Sequence, residues 1–194
     1  MNFRYPHASV RGGGWQRFLG DDLADKTLGT IGLGNIGAGV TKVGLAFGMK
    51  VIAWSPNLTS SAAAAVGAHL VSKEDLLRKA DVVSIHMVLS SRTVGLIGAA
   101  ELALMKPSAR LINTSSGPLV AEAALLDALA DHRIAGAAID VYDIEPLPED
   151  HPYRRAEHLL ATPHIGYVSR GLYERFYRDS VNNISTWLNE RKAG

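Results

Sequence analysis

The chain of 194 residues contains no cysteine, which excludes a disulfide framework and a thiolate-ligated metal. No apolar run is long enough to span a bilayer. The first residues, Met1 to His7, lack the apolar core of a signal peptide. An excess of charge of one sign is also lacking. Twenty lysines and arginines stand against 19 acids, for a net charge of +1. There is neither a basic block nor an acidic tail. Neither nucleic acid nor a membrane is expected as a partner, and the cytoplasm is the default location.

What is present points to an α/β domain. Nineteen glycines and a composition rich in alanine, valine and isoleucine fit tight turns and close helix–sheet packing. The length suffices for one domain with a full core. Strands are expected over Leu28–Leu33, Lys50–Trp54, His69–Val71, Asp81–His86, Arg110–Asn113, Ile134–Asp140 and Leu159–Thr162. Between them, apolar residues recur at spacings of three and four. Ile36, Val40, Val43 and Phe47 form one such stripe; Val120, Ala124, Leu125, Ala128 and Leu129 form another. Apolar strands each followed by a helix predict a parallel, doubly wound sheet.

Two flanks differ from this pattern. Gly12-Gly13-Gly14 precede Trp15, Phe18 and Leu19, and each glycine costs a helix about 1 kcal/mol relative to alanine. The tail from Gly171 to Ala193 reads as a helix with a broad apolar face of Tyr173, Phe176, Tyr177, Val181, Ile184, Trp187 and Leu188. Both flanks need a cover, which predicts a homodimer or an aggregation-prone monomer.

Gly32-Leu33-Gly34-Asn35-Ile36-Gly37 is a G-x-G-x-x-G turn between an expected strand and an expected helix. Gly32 permits the tight turn, Gly34 lets the backbone approach a pyrophosphate, and Gly37 lets helix and strand pack closely. Asn35 and Ile36 open the helix, whose free N–H groups and partial positive charge suit phosphates. The implied cofactor is NAD or NADP. An acid that grips the ribose hydroxyls of NAD belongs roughly 20 residues on. Ser55 stands there, with Asn57 close by and neither acid nor arginine in the loop. Serine and asparagine can hydrogen-bond a hydroxyl or a phosphate, so NAD and NADP both stay open.

Four stretches then occur in a telling order. They are Gly29–Gly37, Ala80–His86, Ala138–Pro148 and Thr162-Pro163-His164-Ile165-Gly166. In this order the chain resembles the NAD(P)-dependent D-isomer-specific 2-hydroxyacid dehydrogenases, from about residue 11 to the C-terminus. The resemblance implies a Rossmann-type α/β fold, here a single domain with flanking helices. Residues 1–20 would be a partial interdomain segment and 21–166 the dinucleotide-binding domain. Residues 167–194 would be a helix returning to a substrate domain, which this chain is expected to lack. The resemblance also implies cofactor contacts at Asn113, Thr114 and His164, and a contact from Asp140 to the nicotinamide carboxamide. Asp140 can alternatively do no more than stabilise the turn after its strand. His86 either lines the cofactor cleft or is a bland strand-end residue.

Moving a hydride between a secondary alcohol and nicotinamide requires a group that gives or takes the hydroxyl proton, and a histidine suits this. His164 follows a strand and a proline, on the carboxyl edge of the sheet where ligands of open α/β folds bind. Glu145 lies on the preceding loop, and a carboxylate there would orient the imidazole and favour its protonated form. The resemblance makes the same assignment.

One group of the constellation is replaced. In Asn113-Thr114-Ser115-Ser116-Gly117, Ser116 stands where the family pattern Asn-Thr-x-Arg-Gly has its substrate-clamping arginine. Losing such a donor costs about 10²–10³ in turnover. Arg92 and Arg170 lie near the same edge but not on the loop that places the fork. The leading reading is a 2-keto acid/D-2-hydroxy acid oxidoreductase in a truncated, weakly active or inactive form. The alternatives are a non-enzymatic dinucleotide-binding module or partner subunit, and, further off, another Rossmann-type protein such as a methyltransferase.

Overall fold

Successive residues of the first strand face helices on opposite sides of one sheet, and this sets the architecture. The structure, a computed structural model, describes residues 9–16 and 19–193. Seven strands run in chain order: β1 (Thr27–Ile31), β2 (Lys50–Trp54), β3 (His69–Leu70), β4 (Val82–Ile85), β5 (Arg110–Asn113), β6 (Gly136–Ile139) and β7 (Leu159–Ala161). From β1 onwards the α-helices are α1 (Asn35–Ala46), α2 (Ser60–Ala64), α3 (Lys73–Lys79), α4 (Ala99–Leu104), α5 (Glu122–Ala130) and α6 (Arg170–Ala193). All strand pairs are parallel, in the order β3-β2-β1-β4-β5-β6-β7. The order reverses between β1 and β4, so this is a Rossmann-like, doubly wound α/β sheet with a crevice at that switch point.

The packing follows from small residues on β1. A Cβ on Gly44 of α1 would press on Leu28, and a Cβ on Gly29 would press on Leu76 and Ala80 at α3. Helices therefore cover both faces, which leaves two buried clusters. The larger contains Ile31, Val83, Ile85 and Leu111 from the sheet with Leu76, Leu102, Leu125 and Leu129 from the helices. The smaller contains Leu28, Val51, Ala53 and Ala63. Each fully buried aliphatic side chain contributes about 1.5–3 kcal/mol.

The apolar stripe expected to bury α1 is corrected by the structure. Of the stripe, Val40 is half-buried against the smaller cluster but Ile36, Val43 and Phe47 are exposed, whereas Gly37, Thr41 and Gly44 are buried. The reason is steric: the helix sits so close to β1 that Gly37 and Gly44 leave no room for a Cβ. The second stripe behaves as expected, with Val120, Leu125, Ala128 and Leu129 all buried. β1 ends at Ile31, short of Leu33, because Gly32 turns the chain at φ +90°.

The 24-residue helix α6 leaves Tyr173, Phe176, Tyr177, Val181, Ile184, Trp187 and Leu188 exposed. Trp15 and Leu19 are also exposed, and Phe18, expected to cluster with Trp15, lies outside the described residues. Among the described residues no helix is long and apolar enough to cross a membrane.

Candidate functional site

The glycine turn joins β1 to α1 at the switch point. Gly32 has φ +90°, and its N–H donates to the Trp54 carbonyl at 2.8 Å. A Cβ on Gly32 would run into the His86 carbonyl oxygen, and one on Gly37 into the carbonyl oxygen of Gly32. A Cβ on Gly34 would meet only open space. No side chain caps the N-terminus of α1, and its first turn holds no acid. The amides of Asn35 and Ile36 thus face an exposed, positively polarised helix end with room above Gly34. These residues fit a pyrophosphate.

The end of β2 is electrically empty. Ser55 is half-buried and Asn57 exposed, and the chain from 51 to 72 contains no Asp, Glu, Lys or Arg. The Ser55 carbonyl accepts the Leu58 N–H, and Thr59 caps α2 by accepting the Ala62 N–H. The loop is shaped by hydrogen bonds and by Leu58 packing against the smaller cluster, without any ion pair.

After β5 the chain makes a tightly held bend. Asn113 is buried, and its amide donates to the Ser116 carbonyl at 2.9 Å while its side-chain oxygen accepts the Ser115 N–H at 3.1 Å. The Ser115 hydroxyl donates to the Ile85 carbonyl at 2.8 Å, tying the bend to β4. The Asn113 side chain is thereby committed to shaping the bend. Thr114 is exposed and Ser116 half-buried. A Cβ on Gly117 would collide with the backbone of Tyr142, so this bend and the segment after β6 pack backbone to backbone.

The third part follows β6 and β7. His164 Nδ1 lies 2.6 Å from Glu145 Oε2, and Glu145 Oε1 accepts the Tyr142 N–H at 2.9 Å. The His164 hydrogen bond holds the Glu145 carboxyl below the usual carboxylate range; burial opposes this, and the Tyr142 amide reinforces it. With Nδ1 engaged, Nε2 is the nitrogen left for chemistry. The Tyr167 ring meets the imidazole edge-on, with centroids 5.3 Å apart. Asp140 is buried just past β6. Its Oδ1 accepts the Thr162 hydroxyl at 2.5 Å and the Ile165 N–H at 2.9 Å, and its Oδ2 accepts the Gly166 N–H at 2.7 Å. Burial alone would raise this carboxyl's pKa, but those hydrogen bonds and the nearby imidazole outweigh it and hold it low.

The bend after β5 and the segments after β6 and β7 meet in an open cleft of about 340 Å³ lined by Leu89, Ser116, Pro118, Tyr142, Glu145 and His164, among others. Ser116 and the His164–Glu145 pair, far apart in the chain, share this cleft. Arg92 and Arg170 do not line it, and no Lys or Arg among the described residues does. His86 stands beside the glycine turn through its carbonyl, while its Nε2 lies 2.9 Å from the Ser84 hydroxyl; burial pushes its pKa down. Sequence reasoning missed Tyr142, Ser115 and Thr162. Tyr142 acts through its backbone N–H on Glu145 and its hydroxyl on the Thr162 carbonyl, and no spacing rule signals such contacts.

Fold and cradle together define a Rossmann-like, dinucleotide-binding α/β domain. Residues 1–166 match the family model described as D-isomer specific 2-hydroxyacid dehydrogenase, NAD binding domain, and the chain belongs to that family. It is 41% identical over 184 residues to a glyoxylate reductase of Aeropyrum pernix, covering 90% of this chain and 55% of that protein. It is 40% identical over 162 residues to a D-3-phosphoglycerate dehydrogenase of Methanocaldococcus jannaschii, covering 82% of this chain and 31% of that one. The crystal structure of a phosphoglycerate oxidoreductase from Vibrio cholerae superposes with a TM-score of 0.88 at 32% identity, covering 95% of this chain and 61% of that one. The chain thus spans 55% and 31% of the two curated relatives' lengths.

Proposed function

We propose that the chain is the dinucleotide-binding portion of an NAD(P)-dependent oxidoreductase that interconverts 2-keto acids and D-2-hydroxy acids, with low turnover. The observation that carries this reading is the 2.6 Å contact between His164 and Glu145, two residues that line one cleft together with Ser116. The cofactor would rest its phosphates on Gly34, Asn35 and Ile36, with Ser55 and Asn57 at its ribose end and Thr114, Asp140 and His164 towards the nicotinamide. When bound, the nicotinamide supplies or accepts the hydride. His164 Nε2 gives its proton to the carbonyl oxygen in reduction and takes the hydroxyl proton in oxidation. Glu145 fixes the ring through Nδ1 and stabilises the imidazolium before the proton leaves.

Ser116 limits the rate. A neutral hydroxyl can neither clamp a substrate carboxylate bidentately nor polarise the keto oxygen as a guanidinium would. The test is a titration with NADH and NADPH followed by steady-state assays on glyoxylate, hydroxypyruvate and pyruvate. Binding with little or no turnover is expected. Ordinary family turnover would remove the low-activity claim, and absence of binding to both nucleotides would remove the whole reading.

A second reading, a non-enzymatic dinucleotide-binding module or partner subunit, is favoured by the lack of any Lys or Arg among the described residues lining the cleft. Ser116→Arg separates the two. A rise of about 10²-fold in turnover supports the enzyme, and an inert variant that still binds NADH supports the module. For assembly we favour a homodimer, because α6 and the outer face of α1 both leave large apolar side chains exposed.

A further inference from the structure

The bend that carries His164 has an uncommon, left-handed backbone conformation. His164 has φ +53°, in the left-handed region that few non-glycine residues adopt, histidine more readily than most. The His164–Glu145 contact does not fix the bend, since both side chains are substantially exposed and an exposed pair is weakly ordering. The constraint comes from beneath. Three donors on the bend (the Thr162 hydroxyl just before His164 and the Ile165 and Gly166 amides just after it) converge on the one buried carboxylate of Asp140. A Cβ on Gly166 would sit 3.0 Å from Asp140 Oδ2, so the bend is also packed tightly against that oxygen. Charge-assisted bonds of this kind are about twice as strong as neutral ones.

We propose that Asp140 is a positioning residue for the His164–Glu145 pair, its buried carboxylate gathering Thr162, Ile165 and Gly166 so that the 162–166 bend presents the imidazole to Glu145. The role of the pair rests on the functional reading above; the anchoring of the bend does not. Tyr142 completes the support from the other side, its hydroxyl donating to the Thr162 carbonyl while its N–H holds Glu145. The groups facing the imidazole are Glu145, the Tyr167 ring and, through the bend, Asp140.

The experiment compares the full chain with Asp140→Asn and Thr162→Val. Asparagine keeps the shape but turns a donor towards one of the donating groups. Valine removes one donor and leaves the charge. Two readouts, amide exchange at Ile165 and Gly166 and the downfield proton signal of His164 Nδ1 bonded to Glu145, report positioning without cofactor or turnover. In Asp140→Asn, exchange at both amides is expected to be roughly ten- to a hundredfold faster, with the Nδ1 signal lost. In Thr162→Val a smaller acceleration is expected with the signal weakened, which loss of charge alone cannot produce. Wild-type exchange and an intact Nδ1 signal in folded Asp140→Asn would overturn the proposal, even if NADH affinity changed. Should Asp140→Asn not fold, Thr162→Val decides by the same readouts. A parallel NADH titration of the wild type tests the functional reading separately.

Discussion

Glu145 uses its two oxygens for two different jobs: Oε2 meets the His164 imidazole at 2.6 Å, and Oε1 accepts the backbone N–H of Tyr142 at 2.9 Å. The second bond aims the first. Removing the charge while keeping the shape should therefore affect proton transfer more than cofactor binding. In Glu145→Gln, whatever reduction of glyoxylate the wild type shows is expected to fall at least about tenfold, and in His164→Ala about 10²-fold. NADH dissociation constants should stay within about twofold of wild type. Steady-state kinetics with parallel fluorescence titration checks this, and an equal loss of affinity and rate would place the pair in binding instead.

The glycine turn makes opposite predictions at neighbouring positions. A methyl group at Gly37 strikes the Gly32 carbonyl oxygen, so Gly37→Ala should destabilise by about 1–3 kcal/mol. That corresponds to roughly 2–4 °C of melting temperature per kcal/mol in a domain of this size. A methyl group at Gly34 meets open space, so Gly34→Ala should melt like the wild type but weaken NADH about tenfold or more, because the phosphates need that space. Differential scanning fluorimetry with and without NADH distinguishes the two.

Cofactor choice follows from the uncharged β2 end. With neither a repelling carboxylate nor a gripping cation between residues 51 and 72, NADH and NADPH should bind within about tenfold of each other. Ser55→Asp should weaken NADPH by at least about tenfold more than NADH, since a carboxylate there repels the 2′-phosphate and accepts from the ribose hydroxyls. Paired calorimetric titrations read this directly. A wild-type preference for one nucleotide beyond a hundredfold would contradict it.

Stability should fall on mild acidification because of His86. Burial disfavours the charged form, so the imidazole's pKa in the folded chain is depressed below its ordinary 6.5. The unfolded chain then binds this proton first as pH drops. The stabilisation is whole above about pH 6.5 and declines as pH falls from there towards the folded value. Asp81, Glu101, Asp140 and Glu145 are held below the ordinary carboxylate range, so their contributions are lost only at lower pH, below about 4. The urea midpoint should therefore decrease between pH 7 and pH 5, and His86→Gln should flatten that slope. An unchanged slope in His86→Gln would show that another group is responsible.

Local patterns made much of this protein legible. β2 and β5 run over the expected residues, 50–54 and 110–113, because each is a short apolar run between turn residues. The tight turn between β1 and α1 was legible because three glycines at fixed spacing carry its geometry. The buried face of α1 was not, since what faces the sheet is Gly37, Thr41 and Gly44, and apolar periodicity rewards bulk where this contact requires its absence. The anchoring by Asp140 was equally hidden. Its partners lie 22 to 26 residues away, and two of the three donate through the backbone, which any side chain would supply.

The hydrogen bond from Gly32 to the Trp54 carbonyl has a consequence for anyone redesigning this domain. It makes the glycine turn and the end of the neighbouring strand one mechanical unit. Retuning the nucleotide's sugar end by insertions or prolines after Trp54 will drag the turn with it. Selectivity swaps should thus be confined to side chains, leaving the main chain at 54 and 55 untouched.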